Sequence, residues 1–220
     1  MSFFNEVSMA QFLTAIYETL YMTFISTAFA SVIGLCIGIL LYCTKTGGLY
    51  ENRIISGVID FMINVLRAIP FIILMYLLFG LSSLLTGSML GVNAALPSLI
   101  FASSPFYARL VLIGLNEVDK GVIEASKSMG ATNKDIILKV VLKEAMPSLI
   151  SGIGVTAISL VAYTAMAGAI GSGGLGNLAY MYGLARPNQA VLYITTSFIV
   201  LIVFIIQFIS DKIVKKIDKR

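Results

Sequence analysis

The chain of 220 residues contains no histidine and only two cysteines. Without histidine, neither a histidine-ligated zinc centre nor a Ser-His-Asp triad can be assembled within it. Cys36 and Cys43 stand about two helical turns apart in one apolar stretch, so they cannot bridge each other, and no disulfide framework or metal-ligand spacing exists. Charge is scarce too: 12% of the residues are Asp, Glu, Lys or Arg, against roughly 25% in a typical soluble domain. A water-soluble fold needs polar residues to cover its outside. With 58% of the residues hydrophobic and a mean hydropathy of +0.95, the bilayer is the solvent that fits. The net charge of +4 does not indicate nucleic acid, because the basic residues sit between and after apolar segments instead of forming a stripe with interleaved aromatics. No Gly-x-x-x-x-Gly-Lys-Ser/Thr phosphate cradle occurs, so the chain is not its own ATPase. The opening MSFFNEVSMA has no basic region, and a cleaved signal peptide is not expected.

What is present is a series of apolar runs, each near the roughly 20 residues that cross a bilayer as a helix. Five spans are predicted: Leu20 to Cys43, entered by a short interfacial turn over Ala10 to Glu18; Ile54 to Gly80; Ala94 to Gly114; Ser148 to Ile170; and Gln189 to Ser210. The expected fold class is therefore all-α, a polytopic membrane protein forming a single domain over 1–220. Lys45 and Arg53 follow the first span. Lys120, Lys127, Lys134, Lys139 and Lys143 follow the third, and Lys212, Lys215, Lys216, Lys219 and Arg220 follow the fifth. Arg186 stands alone on the other side. Because Lys and Arg near helix ends stay cytoplasmic, the N-terminus is expected outside and the C-terminus inside. Gly34 and Gly38 make a G-x-x-x-G in the first span, a spacing that permits close helix approach.

Polar residues inside the spans need partners or a watery cavity. Asp60, Asn64 and Arg67 fall at helical spacing in the second span, and Arg109 lies in the third. Either they satisfy one another and nearby backbone carbonyls, or some line a solute path. Ser159, Tyr163 and Met166 in the fourth span are candidates for such a path, with Met as a soft, adaptable wall; the alternative is ordinary packing.

The only sizeable polar segment joins the third and fourth spans, Asn116 to Pro147. It reads as two short helices. Asp119 caps the first, which runs to about Met129, and Gly130 suits the left-handed position beyond a helix end. Thr132 and Asp135 have capping-box spacing for the second. Val122, Ala125, Ser126 and Met129 are expected on one face of the first helix; Ile136, Ile137, Val140 and Val141 form an apolar stripe on the second. Such a pair lies either on the membrane surface or against a partner protein. On the opposite side, Gly171-Ser-Gly173-Gly174-Leu175-Gly176 matches G-x-G-x-x-G in letters only. A spanning helix precedes it, where a dinucleotide fold has a strand, and no acidic residue follows about 20 residues on. Its glycines serve either a tight turn or the approach of an external protein, for which Gly173, Gly174, Leu175 and Gly176 are the candidate residues.

Glu124-Ala125-Ser126-x-x-x-Gly130 resembles the EAA loop of permease subunits of ATP-binding-cassette importers. Ser126 stands in place of that motif's second Ala, and Lys143 in place of its closing Pro. Arg67-Ala-Ile-Pro-Phe-Ile-Ile-Leu, Ser-Pro-Phe-Tyr-Ala-Arg109 and the run from Ala165 to Gly176 are similar to the methionine-importer permease family over nearly the whole chain. The resemblance implies a type I importer permease fold in the bacterial inner membrane. Glu124, Ala125, Ser126 and Gly130 would then couple to a cytoplasmic ATPase. It further implies a homodimer, two ATPase subunits carrying ATP and magnesium, and an extracytoplasmic substrate-binding protein, with methionine moved by alternating access. No cofactor or metal is expected on this chain. Two other readings remain: an importer of the same class for another solute such as an osmoprotectant, and a passive channel.

Overall fold

The structure, a computed structural model, describes residues 7–218, and every regular element within them is helical. The first six residues, together with Lys219 and Arg220, lie outside the described residues.

Helix α1 (Met9–Thr44) is one uninterrupted helix of 36 residues. A capping box starts it: the Ser8 hydroxyl accepts from the Gln11 N–H at 3.2 Å, and the Gln11 side chain accepts from the Ser8 N–H at 3.0 Å. No glycine or proline occurs before Gly34 to break it, so the expected separate turn over Ala10 to Glu18 is part of the helix. At 1.5 Å per residue α1 is about 54 Å long, well beyond a hydrocarbon core of about 30 Å. Its buried face is small and hydroxylic. Thr19, Thr23 and Thr27 each donate to the carbonyl four residues back, at 2.7 to 2.9 Å, and so need no outside partner. Gly34 and Gly38 seat this face on α5 (Val92–Asn116). A Cβ on Gly34 would stand 2.7 Å from the Ser104 carbonyl, and one on Gly38 2.6 Å from the Val111 side chain. The G-x-x-x-G therefore serves packing within the chain.

The second predicted span is not continuous. Helix α2 (Arg53–Ala68), capped by the Asn52 side chain, stops before Pro70. Proline lacks the N–H a helix would use, and it pushes Ile69 into an extended conformation (ψ 122°). Helix α3 (Phe71–Leu77) leaves at 104° to α2, and α4 (Phe79–Thr86) follows. The expected span Ile54 to Gly80 is thus corrected to a broken one. Among the described residues four helices are long and apolar enough to cross a membrane unaided, and the bent pair raises the number to five.

Beyond α5, α6 (Lys120–Ser128), α7 (Asn133–Asp135), a π-helical turn over Ile136–Val141 and α8 (Leu142–Glu144) form an elbow. The chain then crosses back as α9 (Met146–Ala167), with Pro147 in its first turn. A second π-helical turn (Gly168–Ser172), α10 (Gly174–Leu178) and a third such turn (Ala179–Leu184) form the opposite cap. Helix α11 (Gln189–Ile217) closes the bundle, capped by Asn188. Polar ties cross it. The buried Tyr107 hydroxyl of α5 donates to the Leu149 carbonyl of α9 at 3.1 Å. Arg109 of α5 meets Asp60 of α2 at 3.0 Å.

Candidate functional site

The elbow is built by its caps. The Asp119 side chain accepts from the Gly121 N–H at 2.6 Å and starts α6. At the other end Gly130 takes φ +81°, the Gly130 N–H donates to the Lys127 carbonyl at 2.9 Å, and the Ala131 N–H donates to the Ser126 carbonyl at 3.1 Å. That is a Schellman stop, and only glycine adopts its conformation without strain. The Thr132 hydroxyl then accepts from the Asp135 N–H at 3.2 Å and opens the second helix. The Lys139 ammonium, and after it the Thr132 hydroxyl, hold the Asp135 carboxyl below the usual carboxylate range.

Packing decides which surfaces stay free. Ile136 and Val141 are fully buried, and with Ile137 they join Tyr42, Leu115, Val118 and Leu149 in one cluster. The stripe of the second elbow helix is therefore spent on the chain's own α1, α5 and α9, and Val140 of that stripe is half-buried. The side chain of Asn133 donates to the Leu49 carbonyl at 3.1 Å, and Lys45 donates to Asn116, tying the elbow to the loop after α1. Helix α6 is different. Ser126 is buried, donating to the Val122 carbonyl at 2.7 Å, and Ile123 packs inward beside it. Val122, Ala125 and Met129 face outward with Glu124, Met129 being 81% exposed. The face expected to hold Val122, Ala125, Ser126 and Met129 together is thus split: Ser126 anchors the helix, and the other three form a free apolar surface. Gly130 is exposed at its end.

The glycine loop on the opposite cap is packed into its own chain. Leu175 is fully buried, and Gly174 and Gly176 are buried with it. Gly173 and Gly174 have φ of +83° and +78°. The Glu18 carboxylate of α1 accepts from the Gly174 N–H at 2.6 Å, and the Thr19 hydroxyl accepts from the Leu175 N–H at 2.9 Å. A Cβ on Gly168 would lie 2.6 Å from the Asn177 nitrogen, and one on Gly176 would strike the Ala165 carbonyl. The loop makes a tight turn within the chain, with the Leu175 side chain turned inward. Glu18 was not singled out from sequence; its signal is an acidic residue inside an apolar run, opposite a glycine cluster.

Along α9, Ser159, Tyr163 and Met166 share one side. The Ser159 hydroxyl donates to the Val155 carbonyl at 3.0 Å, Met166 is 44% exposed, and Tyr163 stacks on Phe71 with ring centroids 4.8 Å apart and planes 9° from parallel. Ser151, Val155 and Ala162 are exposed along the same side, so the chain leaves this stripe of α9 uncovered. Of the intramembrane polar residues, Asp60 joins two: Oδ1 accepts from Arg109 at 3.0 Å and Oδ2 from Asn64 at 3.1 Å.

A membrane bundle with a broken span, a rigid elbow and a free α6 face has a match in sequence. The family described as the binding-protein-dependent transport system inner membrane component covers residues 34–220. The chain belongs to this family. Its relatives include the methionine import system permease protein MetP of Bacillus subtilis (strain 168), 56% identical over 218 residues, spanning 99% of this chain and 98% of that one. The D-methionine transport system permease protein MetI of Escherichia coli (strain K12) is 40% identical over 164 residues, 74% of this chain and 76% of that one. A chain from the inward-facing MetNI methionine ABC transporter superposes with a TM-score of 0.94 at 40% identity, covering 96% of this chain and 98% of its own. The fold is that of a type I importer permease, and the protein is a multi-pass inner membrane component. Within this fold α6 is fixed at two points, by the buried Ser126 and by the stop at Gly130, with Val122, Ala125 and Met129 left on its surface.

Proposed function

We infer that this chain is the permease subunit of an ATP-driven methionine importer. It works as two copies with two ATPase subunits, which carry the ATP and magnesium, and an external binding protein delivers the solute. The observation that carries the reading is the free Val122–Ala125–Met129 surface on α6, held by an elbow that buries Ile136, Ile137 and Val141 in the chain. A membrane-surface helix would turn its lysines to headgroups and its stripe to lipid. Here Ile136, Ile137 and Val141 of the stripe are already covered, and the α6 face projects from the bundle as a handle for a protein groove. The methionine assignment is supported by the relatives' names. The uncovered side of α9 and the exposed face of α2, where Ile54 is 80% and Phe61 66% exposed, suit a second copy enclosing a path. The bias of Lys and Arg sets the elbow and C-terminus inside and the N-terminus outside.

The decisive experiment reconstitutes the chain with its ATPase and binding protein in liposomes and follows labelled solutes. ATP-dependent methionine uptake is the expected result. Solute flux without the ATPase would instead mark a channel, and uptake of a quaternary-ammonium osmoprotectant with none of methionine would reassign the solute. Thiol labelling of Lys127→Cys and Arg186→Cys, in a background of Cys36→Ser and Cys43→Ala, tests orientation. Lys127→Cys should react only from the cytoplasmic side and Arg186→Cys only from outside.

A further inference from the structure

Two arginines lie within the spans, and the chain treats them differently. Arg109 has a carboxylate: Asp60 at 3.0 Å. Arg67 has none. Among the described residues no ion pair or hydrogen bond involves its side chain, and both oxygens of the nearest acid on its own helix are occupied by Arg109 and Asn64. Arg67 is 14 residues beyond Arg53, at most about 21 Å along α2, which puts it inside a hydrocarbon core of about 30 Å. An unneutralised cation at that depth is costly and marks a solute or ion path.

Arg67 lines a cavity of about 230 Å³ between the broken end of α2, the start of α3, α5 and α9. Phe71, Phe106 and Tyr163 supply its aromatic wall, and two of these rings are the stacked pair. The break adds acceptors beside the cation. The last carbonyls of α2 have no intrahelical donors, and Pro70 contributes no N–H to meet them. Positive charge, free carbonyls and aromatic rings thus converge in a space smaller than the roughly 300–1,000 Å³ of drug-sized pockets.

We propose that this cavity is a transient binding site for one α-amino acid on the transport path, with Arg67 as the residue that takes its carboxylate. The guanidinium fork matches a carboxylate and is not neutralised by any acid of the chain. The α-ammonium meets the carbonyls at the end of α2. An apolar side chain lies on the Phe71, Tyr163 and Phe106 rings, and a thioether suits these particularly well, since sulfur makes favourable contacts with aromatic rings. Arg67 is exposed on the chain and is the one charged side chain lining the cavity, so binding there is weak, as release demands.

The inference rests on the methionine-importer reading, and the test separates the two. The permease is assembled with its ATPase and binding protein in proteoliposomes, as wild type, Arg67→Gln and Arg67→Lys. Methionine uptake and ATP hydrolysis are measured together. Arg67→Gln should lose about tenfold or more in methionine moved per ATP hydrolysed, the loss of one charge-assisted contact, with assembly and ATP hydrolysis close to wild type; Arg67→Lys should recover part of it. Wild-type uptake with Arg67→Gln within twofold of it overturns the site and leaves the importer reading intact. No methionine uptake by the wild type overturns the importer reading itself. A variant that fails to assemble gives Arg67 a packing role and also overturns the site. Independently, a diazirine analogue of methionine photolysed in the wild-type complex during turnover should label peptides containing residues 66–71, 106 or 163. Labelling elsewhere in the permease with none on these peptides counts against the site.

Discussion

Met129→Ala is the sharpest test of the elbow as a handle. The side chain is 81% exposed in the free permease, so trimming it should shift the stability of the isolated protein by no more than about 0.5 kcal/mol. It lies at the end of α6, where the Schellman stop is made by backbone groups of Ser126, Lys127, Gly130 and Ala131, and these are untouched. In a docked complex the same side chain would be buried. Full burial of a methionine contributes about 1.5–3 kcal/mol, and with most of its surface free to be covered, about 2 kcal/mol should be lost per elbow. That is roughly a 30-fold weaker grip. The assay is binding of the ATPase to permease held in lipid nanodiscs, followed by coupled uptake in liposomes. Met181→Ala, 47% exposed on the opposite cap, is the matched control. Unchanged ATPase affinity after Met129→Ala combined with Val122→Ala would refute the idea that this surface is the docking face. A loss of the same size in Met181→Ala would show that the assay reads membrane insertion instead.

Other sites yield readouts of different kinds. Gly176→Ala drives a methyl group into the Ala165 carbonyl and should cost about 1–3 kcal/mol, read as a lower Tm in nanodiscs; Gly57→Ala, with nothing within 4 Å of the added carbon, should stay near wild type. Glu18→Gln weakens the hold on the Gly174 N–H, so hydrogen exchange over residues 171–178 should quicken while exchange in α6 stays the same. Asp60→Ala strips Arg109 of its counter-ion and should destabilise the bundle by about 1–2 kcal/mol, less than full insertion penalties because both side chains are partly exposed. Asp60→Asn paired with Arg109→Gln should recover most of that loss in a thermal melt.

Local chemistry was legible in this sequence wherever it acts over a few residues. Asp119, Gly130 and Thr132 announced the two elbow helices by cap spacing, and each makes the backbone contact its type implies. Gly34 and Gly38 announced close packing. What stayed hidden depends on contacts distant in the chain. The 3.6-residue period groups Val122, Ala125, Ser126 and Met129, but it does not say where the helix rolls; the pull of Ile123 and Ser126 toward the cluster around Tyr42 and Leu115 does that. The predominant apolarity from Ile54 to Gly80 masked the break at Pro70, because hydropathy sums side chains and proline acts on the backbone. The inward turn of Leu175 needed Glu18 and Thr19, more than 150 residues away, to receive its loop's N–H groups.

Helix α9 joins these pieces into one mechanical element. Its start is clamped to α5 by the Tyr107–Leu149 hydrogen bond and to the elbow through the buried cluster. Its middle bears the uncovered side with Ser159, Tyr163 and Met166, and its far end runs into the glycine loop that Glu18 holds against α1. A close-packed interior passes displacement along and does not absorb it, so a push on α6 must emerge where the backbone is softest. Those places are the π-helical turns at Ile136–Val141 and Gly168–Ser172, one on each flank of α9. Wide turns of this kind are weaker than the α-helix and recur at functional sites. The second contains Gly171 at φ +102°, a position no other residue type would hold without strain. On the importer reading proposed above, α9 would be stiff along its uncovered side and compliant at both ends, an arrangement that would let a pull on the elbow tilt it as a unit against α1 and α2.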